Sequence, residues 1–389
     1  MLRSKYYSRP RSARRGIVAV VTIVLLVVLT GFAALTIDIG VVYNVRADLQ
    51  DAADAAALAA GAALTTDEMM KVRQGSNSAI YEVVNLGRQD AVFFALRNPS
   101  LGTSATHLLT NEISFGELDL TSSTGSLDMA AAATAFNAVE VITRRDSKGP
   151  DGPVGALFSR VFGLSELNVA ATATAAFDDR VGAFDTNYAP HVMPFSLSED
   201  LYTFYLNSGP DDYTYDAELD QVGSGSDDIR EVNIYPYDSA PGNFGLLNIG
   251  TPNQGIPALR DHIEDGVPPE DFVAEIGTDV IIFSQDGSPV TYQITGSPGM
   301  DSSLEPSIDT QLGDVVSYFL HSTVVNPGSN ATYTITRIVF GRVMGIRLNG
   351  PPSGRGVWLQ PTTVSGGGVI LDGDAPSSGG NAGRLVLVR

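Results

Sequence analysis

The pattern of apolar and polar residues is most distinctive near the N-terminus. Residues 17–37 contain no charged side chain, and a helix of about 20 apolar residues spans the hydrocarbon core of a bilayer. The pattern therefore predicts a transmembrane anchor over 17–37. A cleaved signal peptide is the alternative, because Gly31-Phe32-Ala33 offers small residues suited to cleavage, but its apolar segment is usually only about 7–15 residues long.

The helix is predicted to continue beyond the anchor. Residues 38–64 lack proline and are rich in alanine, the residue with the highest helix propensity. A helix over 17–64 would be about 72 Å long. Apolar residues recur every three or four positions and so form one stripe along this helix. The stripe could pack on the chain's own domain or against a helix of another protein. Its members are Val41, Val45, Leu49, Ala52, Ala53, Ala56 and Ala60.

The next part of the chain predicts a small α+β domain. A second helix is expected to begin at Thr65 with Glu68 three residues later, a capping box, and to end before Pro99. Strands are predicted at 113–120 and 136–145, with a short helix within 152–162. From Leu167 to Phe177 apolar residues alternate with polar ones, as in a half-buried strand. An antiparallel sheet is expected.

From about residue 179 the pattern changes to short apolar runs between turn residues, which predicts a β-rich domain. The predicted strands include 202–206, 279–283, 315–325 and 331–340. The Gly/Ser-rich stretch Ser365–Asn381 predicts a flexible loop. The fold class is therefore α+β, with four segments: a basic tail (1–16), the anchor (17–37), the helical extension with the small α+β domain (38–178) and the β-rich domain (179–389).

The distribution of charge predicts the topology. All six charged residues in 1–37 are basic, whereas the whole chain has a net charge of −20. Basic flanks of an anchor stay in the cytoplasm, so the N-terminus is expected inside and the bulk of the chain outside. Nucleic-acid binding is not expected, because neutralising phosphates requires lysine and arginine. The chain has no cysteine, which excludes disulfides, thiol nucleophiles and cysteine-ligated zinc.

The segment 14–64 carries a recognisable series of residues. It begins with Arg14-Arg15-Gly16 and an apolar run, and it continues with Asp38, Gly40, Tyr43, Arg46, Leu49, Gln50, Ala53, Asp54 and Ala56. This series resembles the N-terminus of the TadE/TadG-like proteins of Flp (Tad) pilus assembly. Weaker similarity to TadG-like proteins continues at 135–145, 152–164, 167–177, 240–250, 259–267 and 336–350.

The resemblance implies a single-pass protein of the bacterial inner membrane, with most of the chain in the periplasm, that assists pilus assembly or envelope attachment. Partners would be the bilayer and other pilus-assembly or envelope proteins. Prepilin processing is not expected. Prepilins carry a glutamate at the fifth position after the glycine that precedes the cleavage site, and in this chain the fifth residue after Gly16 is Val21. The von Willebrand-type metal site of some relatives is also missing, since Asp301-Ser302-Ser303-Leu304-Glu305 breaks its pattern. We therefore expect the variant without that domain.

No catalytic signature is present. The four histidines show no metal-site spacing, and no nucleophile elbow or phosphate-binding loop occurs. We expect no enzyme activity, no cofactor and no metal. The alternatives are a tethered adhesion or ligand-binding module, with Ca²⁺ at Asp211-Asp212/Asp216 or Asp372/Asp374, and a hydrolase of envelope polymers, which no motif supports.

Overall fold

The computed structural model of the chain describes residues 15–100, 105–122, 125–188, 191–236, 243–250, 255–299, 301–326, 328 and 331–388. A long N-terminal helix precedes short helices and a β-rich C-terminal part, so the predicted α+β class is confirmed. The helices are α1 (Arg15–Ala62), α2 (Asp67–Arg73), α3 (Ala79–Leu96), α4 (Glu199–Ser208), α5 (Ile256–Glu264), α6 (Pro269–Ile276) and α7 (Glu305–Asp309).

Strands fill most of the chain after α3. They are β1 (Ile113–Gly116), β2 (Ala138–Arg145), β3 (Val154–Gly155), β4 (Glu166–Leu167), β5 (Val169–Asp178), β6 (Val181–Asp185), β7 (Val192–Ser198), β8 (Tyr213–Asp216), β9 (Gln221–Ser224), β10 (Val232–Tyr235), β11 (Asn243–Leu247), β12 (Val280–Ile282), β13 (Ser284–Gln285), β14 (Ser288–Pro289), β15 (Tyr292–Pro298), β16 (Val315–Val325), β17 (Thr332–Arg347), β18 (Gly356–Pro361), β19 (Val364–Ser365), β20 (Val369–Leu371) and β21 (Ala382–Val388).

The first sheet has the order β1-β2-β5-β21-β19. Its strands pair antiparallel except for β19 and β21, which are parallel. The apolar face of β5 packs on α1 and α3, and Ala173 and Ala175 lie in that core. The C-terminal strand β21 also belongs to this sheet, next to β5. A division into 38–178 and 179–389 does not account for that strand, because the chain returns to the first sheet at its end.

Helices α1 and α3 pack closely at Gly87. A Cβ atom at this position would lie 2.6 Å from Phe115 Cζ and 2.8 Å from the backbone oxygen of Ala60 on α1. The backbone oxygen cannot move without shifting α1, so the small size of glycine sets the distance between the two helices.

Replacing Gly87 by alanine is expected to lower the free energy of unfolding by about 1–3 kcal/mol, because overpacking outweighs the gain in helix propensity. Urea unfolding of the full-length protein in detergent micelles, followed by Trp358 fluorescence, measures this change. Gly40→Ala is the matched control, because no atom lies within 4 Å of a Cβ built there. Equal stability of the two variants would contradict the close-packing argument.

The second sheet has the order β10-β18-β17-β15-β11-β7-β16, and β16 also pairs with β17. Strands β17, β15, β11, β7 and β16 therefore form a closed ring of pairings, in which β11 and β7 are joined at Leu246 and Phe195. Within the ring, β7 and β16 are parallel. Two large apolar clusters line this part of the molecule: one includes Phe195 and Tyr318, and the other includes Phe272 and Phe340.

Several local predictions were wrong, and the single helix predicted from Thr65 to before Pro99 is divided into α2 and α3. Thr65 does not form a capping box; its hydroxyl donates to the Ala62 carbonyl at 2.8 Å, and Glu68 pairs with Lys71. The strand predicted at 202–206 lies in α4, where Ser198 Oγ caps the helix by accepting from the Leu201 N–H. The helix predicted within 152–162 is replaced by β3 and a 3-10 turn at Ser159–Phe162.

The Gly/Ser-rich stretch 365–381 is also more ordered than the sequence predicts. It contains β20, which pairs with β6, and Ala375 and Asn381 are buried. Backbone hydrogen bonds from Val364 and Gly366 to Asn381 and Gly383 hold its two ends together. Tertiary contacts therefore order a segment whose composition is typical of a loop.

Candidate interaction site on the N-terminal helix

The first part of α1 is an apolar helix with no protein around it. Its large side chains from Val18 to Leu29 are about half exposed or more. Within the part of the chain that the structure describes, it is the one helix long and apolar enough to cross a membrane, with a mean hydropathy of 2.8. Burial of such a surface in lipid removes it from water, so the helix supports membrane anchoring.

Asp38 is the first charged residue after the apolar run, and it is buried. Its carboxylate accepts the N–H groups of Leu157 at 3.0 Å, Phe158 at 3.1 Å and Ser159 at 2.6 Å. The Ser159 hydroxyl also donates to it. This hydroxyl, followed by the backbone donors, lowers the pKa of Asp38 although burial opposes the shift. The ionised carboxylate thus caps the 3-10 turn Ser159–Phe162 and ties that turn to α1.

Beyond Asp38, one face of α1 packs on the chain's own domain; we call it the inner face. Leu49, Ala53 and Ala56 are completely buried there. The Leu49 carbonyl accepts from Thr143 Oγ1 at 2.8 Å, and Gln50 Nε2 donates to Asp54 at 2.7 Å and to the Thr172 carbonyl at 3.2 Å. Of the two alternatives for the small-residue stripe, the structure therefore favours packing on the chain's own domain.

The opposite side of α1 is exposed. We call it the outer face and define it by Gly40, Tyr43, Asn44, Ala47 and Asp51, all classed as exposed. Tyr43 is 69% exposed. Arg46 is also exposed, at the border of this face.

The predicted site residues thus divide into two groups. Asp38, Leu49, Ala53 and Ala56 are buried against the domain and Gln50 and Asp54 are half-buried beside it, whereas Gly40, Tyr43 and Arg46 are exposed. Arg15 and Gly16 lie in the first turn of α1, and Arg14 lies outside the described residues.

The acidic pairs considered for Ca²⁺ serve the chain's own turns. Asp211 accepts from Ser226 Oγ at 2.7 Å and from the backbone of Asp227 and Asp228. Asp372 accepts from Ser284 Oγ at 2.7 Å and from the Asp374 N–H. Among the described residues, no group of three acidic or histidine side chains could hold a metal ion.

Asp301, in the segment compared with the von Willebrand-type metal site, also has a local role. Its carboxylate accepts the Ser303 N–H at 2.8 Å and caps the 3-10 helix Ser302–Leu304. The expectation that this chain is the variant without that domain stays a prediction.

One histidine makes a contact that the sequence does not reveal. Ser196 Oγ lies 2.7 Å from His321 Nδ1, across the parallel pair β7 and β16. Both residues are buried, and burial lowers the pKa of His321 to about 4. A serine–histidine contact without solvent access cannot meet a substrate, so this pair is structural. Because 125 residues separate the two, no local pattern could have indicated it.

Comparison with known proteins finds one similarity, in the N-terminal helix. Residues 16–63 match the family model described as putative Flp pilus-assembly TadE/G-like. No curated protein and no solved structure matches the chain. The matched residues include the apolar helix, Asp38, the outer face and most of the inner face. Over residues 16–63, this chain is therefore similar to the putative Flp pilus-assembly TadE/G-like family.

Proposed function

We propose that the protein is a membrane-anchored component of Flp pilus assembly that acts through protein–protein contacts and performs no catalysis. The family match and the apolar helix support involvement in pilus assembly at a membrane. The anchor would be residues 17–37 in the bacterial inner membrane. The basic N-terminal tail would stay in the cytoplasm, and the acidic remainder would lie in the periplasm.

The exposed outer face of α1 is the observation that carries this proposal. Within the family-matched helix, packing on the domain accounts for Leu49, Ala53 and Ala56. It does not account for Tyr43, whose ring is largely exposed, or for Gly40, where a side chain would meet nothing within 4 Å. Glycine weakens a helix interior by about 0.5–1 kcal/mol relative to alanine. A partner helix that approaches at Gly40 and covers Tyr43 gives both residues a role.

The partner is proposed to be a helix of another TadE/G-like assembly protein, running beside α1 just outside the membrane. Small residues such as Gly40 and Ala47 allow two helix backbones to come close. A tyrosine between them supplies a large contact area at a low cost in side-chain entropy. The outer face begins within one turn of the anchor, so two anchored helices would already be held side by side by the bilayer.

Tyr43→Ala is expected to weaken copurification of the TadE/G-like assembly proteins of the same cell and to reduce the number of Flp pili counted by electron microscopy. A central tyrosine of an interface contributes about 2 kcal/mol or more, which corresponds to a roughly 30-fold weaker complex. The stability of the isolated protein should change little, because Tyr43 is 69% exposed.

The matched control is Tyr81→Ala. Tyr81 lies on α3, is 73% exposed and falls outside the matched segment. Gly40→Leu should act like Tyr43→Ala by blocking the approach of the partner helix. Normal copurification and a normal number of pili in both outer-face variants would contradict the proposal. Equal losses of copurification and pili in the Tyr81→Ala control would contradict it as well.

A further inference from the structure

A hairpin of the domain runs alongside α1 toward the membrane. Strands β3 and β4 pair antiparallel, with Val154 opposite Leu167. Val154 packs with Val45 and Leu49 of α1 in one apolar cluster. The residues that connect the two strands reach Asp38, about two turns of α1 nearer to the apolar run. The hairpin tip thus lies beside Asp38, next to the end of the predicted anchor.

The hydrogen bonds of Asp38 fix the depth of this tip. Residues 17–37 would span about 31 Å at 1.5 Å per residue, which matches a hydrocarbon core of about 30 Å. Asp38 would then stand at the boundary between hydrocarbon and headgroups. Because Leu157, Phe158 and Ser159 donate backbone hydrogen bonds to its carboxylate at 2.6–3.2 Å, their backbone must lie at the same level.

Apolar side chains at this level point away from the protein. Leu157 is 62%, Phe158 43% and Leu164 56% exposed. We call these three residues the apolar tip. Arg160, between them, is exposed as well, and an arginine can reach the lipid phosphates while its stem stays in apolar surroundings. Adjacent exposed apolar side chains in a soluble region indicate an interaction surface.

We propose that the apolar tip is a second membrane contact, inserted into the interfacial layer of the leaflet from which α1 emerges. The occupant is the lipid bilayer, because the tip is continuous with the anchor and is held at the depth of the headgroups by Asp38. Two contacts with the bilayer, rather than one helix, fix the tilt of the domain and direct the outer face of α1 along the membrane plane. The proposal rests on the membrane anchoring in the proposed function.

The absence of cysteine allows a direct measurement of depth. Single cysteines at Leu157, at Val27 in the anchor and at Leu219 between β8 and β9 are labelled with a nitroxide in the full-length protein, reconstituted in lipid nanodiscs. Collision rates with oxygen, which concentrates in lipid, and with a water-soluble nickel chelate are then compared. Leu219 is the matched control for Leu157, because it is a leucine of similar exposure, 64%, on another exposed turn.

The ratio of oxygen to nickel collisions at Leu157→Cys is expected to be several-fold above that at Leu219→Cys and to approach the ratio at Val27→Cys. A ratio at 157 equal to that at 219, with 27 in lipid, would overturn the membrane contact and leave the anchor standing. Low collision rates with both reagents at 157 would also overturn it, because they indicate a protein contact. A water-like ratio at 27 would instead contradict the anchor and the proposed function.

A second variant tests the role of Asp38. In Asp38→Ala the tip loses the carboxylate that holds its backbone, so the ratio at 157 should fall toward the value at 219 while the ratio at 27 stays the same. An unchanged ratio at 157 would show that Asp38 does not position the tip.

Discussion

Replacing Asn381 by alanine is expected to lower the free energy of unfolding by about 3–5 kcal/mol, because at least two buried backbone groups lose their partners at about 1–3 kcal/mol each and a buried cavity is added. Urea unfolding of the full-length protein in detergent micelles, followed by the fluorescence of Trp358, measures the loss. A stability close to that of the unmodified protein would contradict this role.

The expected effect follows from the position of Asn381, which is buried between two parts of the second sheet. Its Oδ1 accepts the Phe340 N–H at 2.6 Å, and its Nδ2 donates to the carbonyls of Phe340 at 2.8 Å and Thr362 at 2.7 Å. The side chain therefore takes the place of a strand where the pairing of β17 with β18 ends. It also holds the start of β21, the strand that returns to the first sheet.

Two variants separate hydrogen bonding from other effects. Asn381→Asp keeps the shape of the side chain but cannot donate, so it should also be strongly destabilising. Asn207→Ala is the matched control, since Asn207 is exposed on α4 and donates to the Thr203 carbonyl of its own helix. Its effect should stay within about 0.5 kcal/mol.

Replacing Glu231 by glutamine is expected to remove a pH-dependent contribution of about 3 kcal/mol to the free energy of unfolding. Burial raises the pKa of Glu231 from 4.5 to about 7, and each unit of difference corresponds to 1.36 kcal/mol. Between these two values the folded protein binds more protons than the unfolded chain, so this contribution is fully present below pH 4.5 and is lost as pH rises through 7. Urea unfolding of both proteins at several values between pH 4.5 and 8 gives the difference.

The environment of Glu231 explains why its carboxyl is buried at all. It accepts the N–H groups of Asp212 at 2.9 Å and Tyr213 at 3.2 Å, and Gln360 Nε2 donates to it at 3.1 Å. These donors support the ionised form but do not cancel the cost of removing it from water, so the pKa stays raised. Relative to the unmodified protein, Glu231→Gln should therefore become more stable toward alkaline pH.

His321→Gln provides a control of opposite sign. Burial lowers the pKa of His321 from 6.5 to about 4, so the unfolded chain binds the additional proton in this range and the stability of the unmodified protein rises with pH through it. The free energy of unfolding of the unmodified protein, minus that of His321→Gln, should therefore increase as the pH rises from 4 to 6.5. The same sign of the pH effect in both variants would contradict the assignment of these two groups.

Local patterns predicted some elements of the fold and missed others. The alternation from Leu167 to Phe177 correctly predicted β5, because every second residue faces α1 and α3. The run at 202–206 was wrongly assigned to a strand, since aromatic residues suit a sheet and the decisive signal was the helix cap at Ser198, outside the run. The stretch 365–381 was wrongly assigned to a flexible loop because its order comes from partners such as β6 and β17.

The site on α1 was predictable only in part. The sequence placed Asp38, Gly40, Tyr43 and the alanines on one helix, and the family match covers the same segment. The sequence did not distinguish the residues of α1 that pack on the domain from those that stay exposed. That distinction depends on which face of α1 the first sheet covers, and the sheet includes strand β21 from the other end of the chain.

By itself, the sequence determined the apolar helix, its continuation beyond Asp38 and the α+β class, because charge-free length and periodicity are local properties of the chain. Only the tertiary structure decided that Asp38 holds a turn about 120 residues away, that Ala53 and Ala56 are buried while Tyr43 is exposed, and that the C-terminal strand lies in the first sheet. These features arise from contacts between distant segments, and the same helix pattern is compatible with packing on its own domain or on a partner.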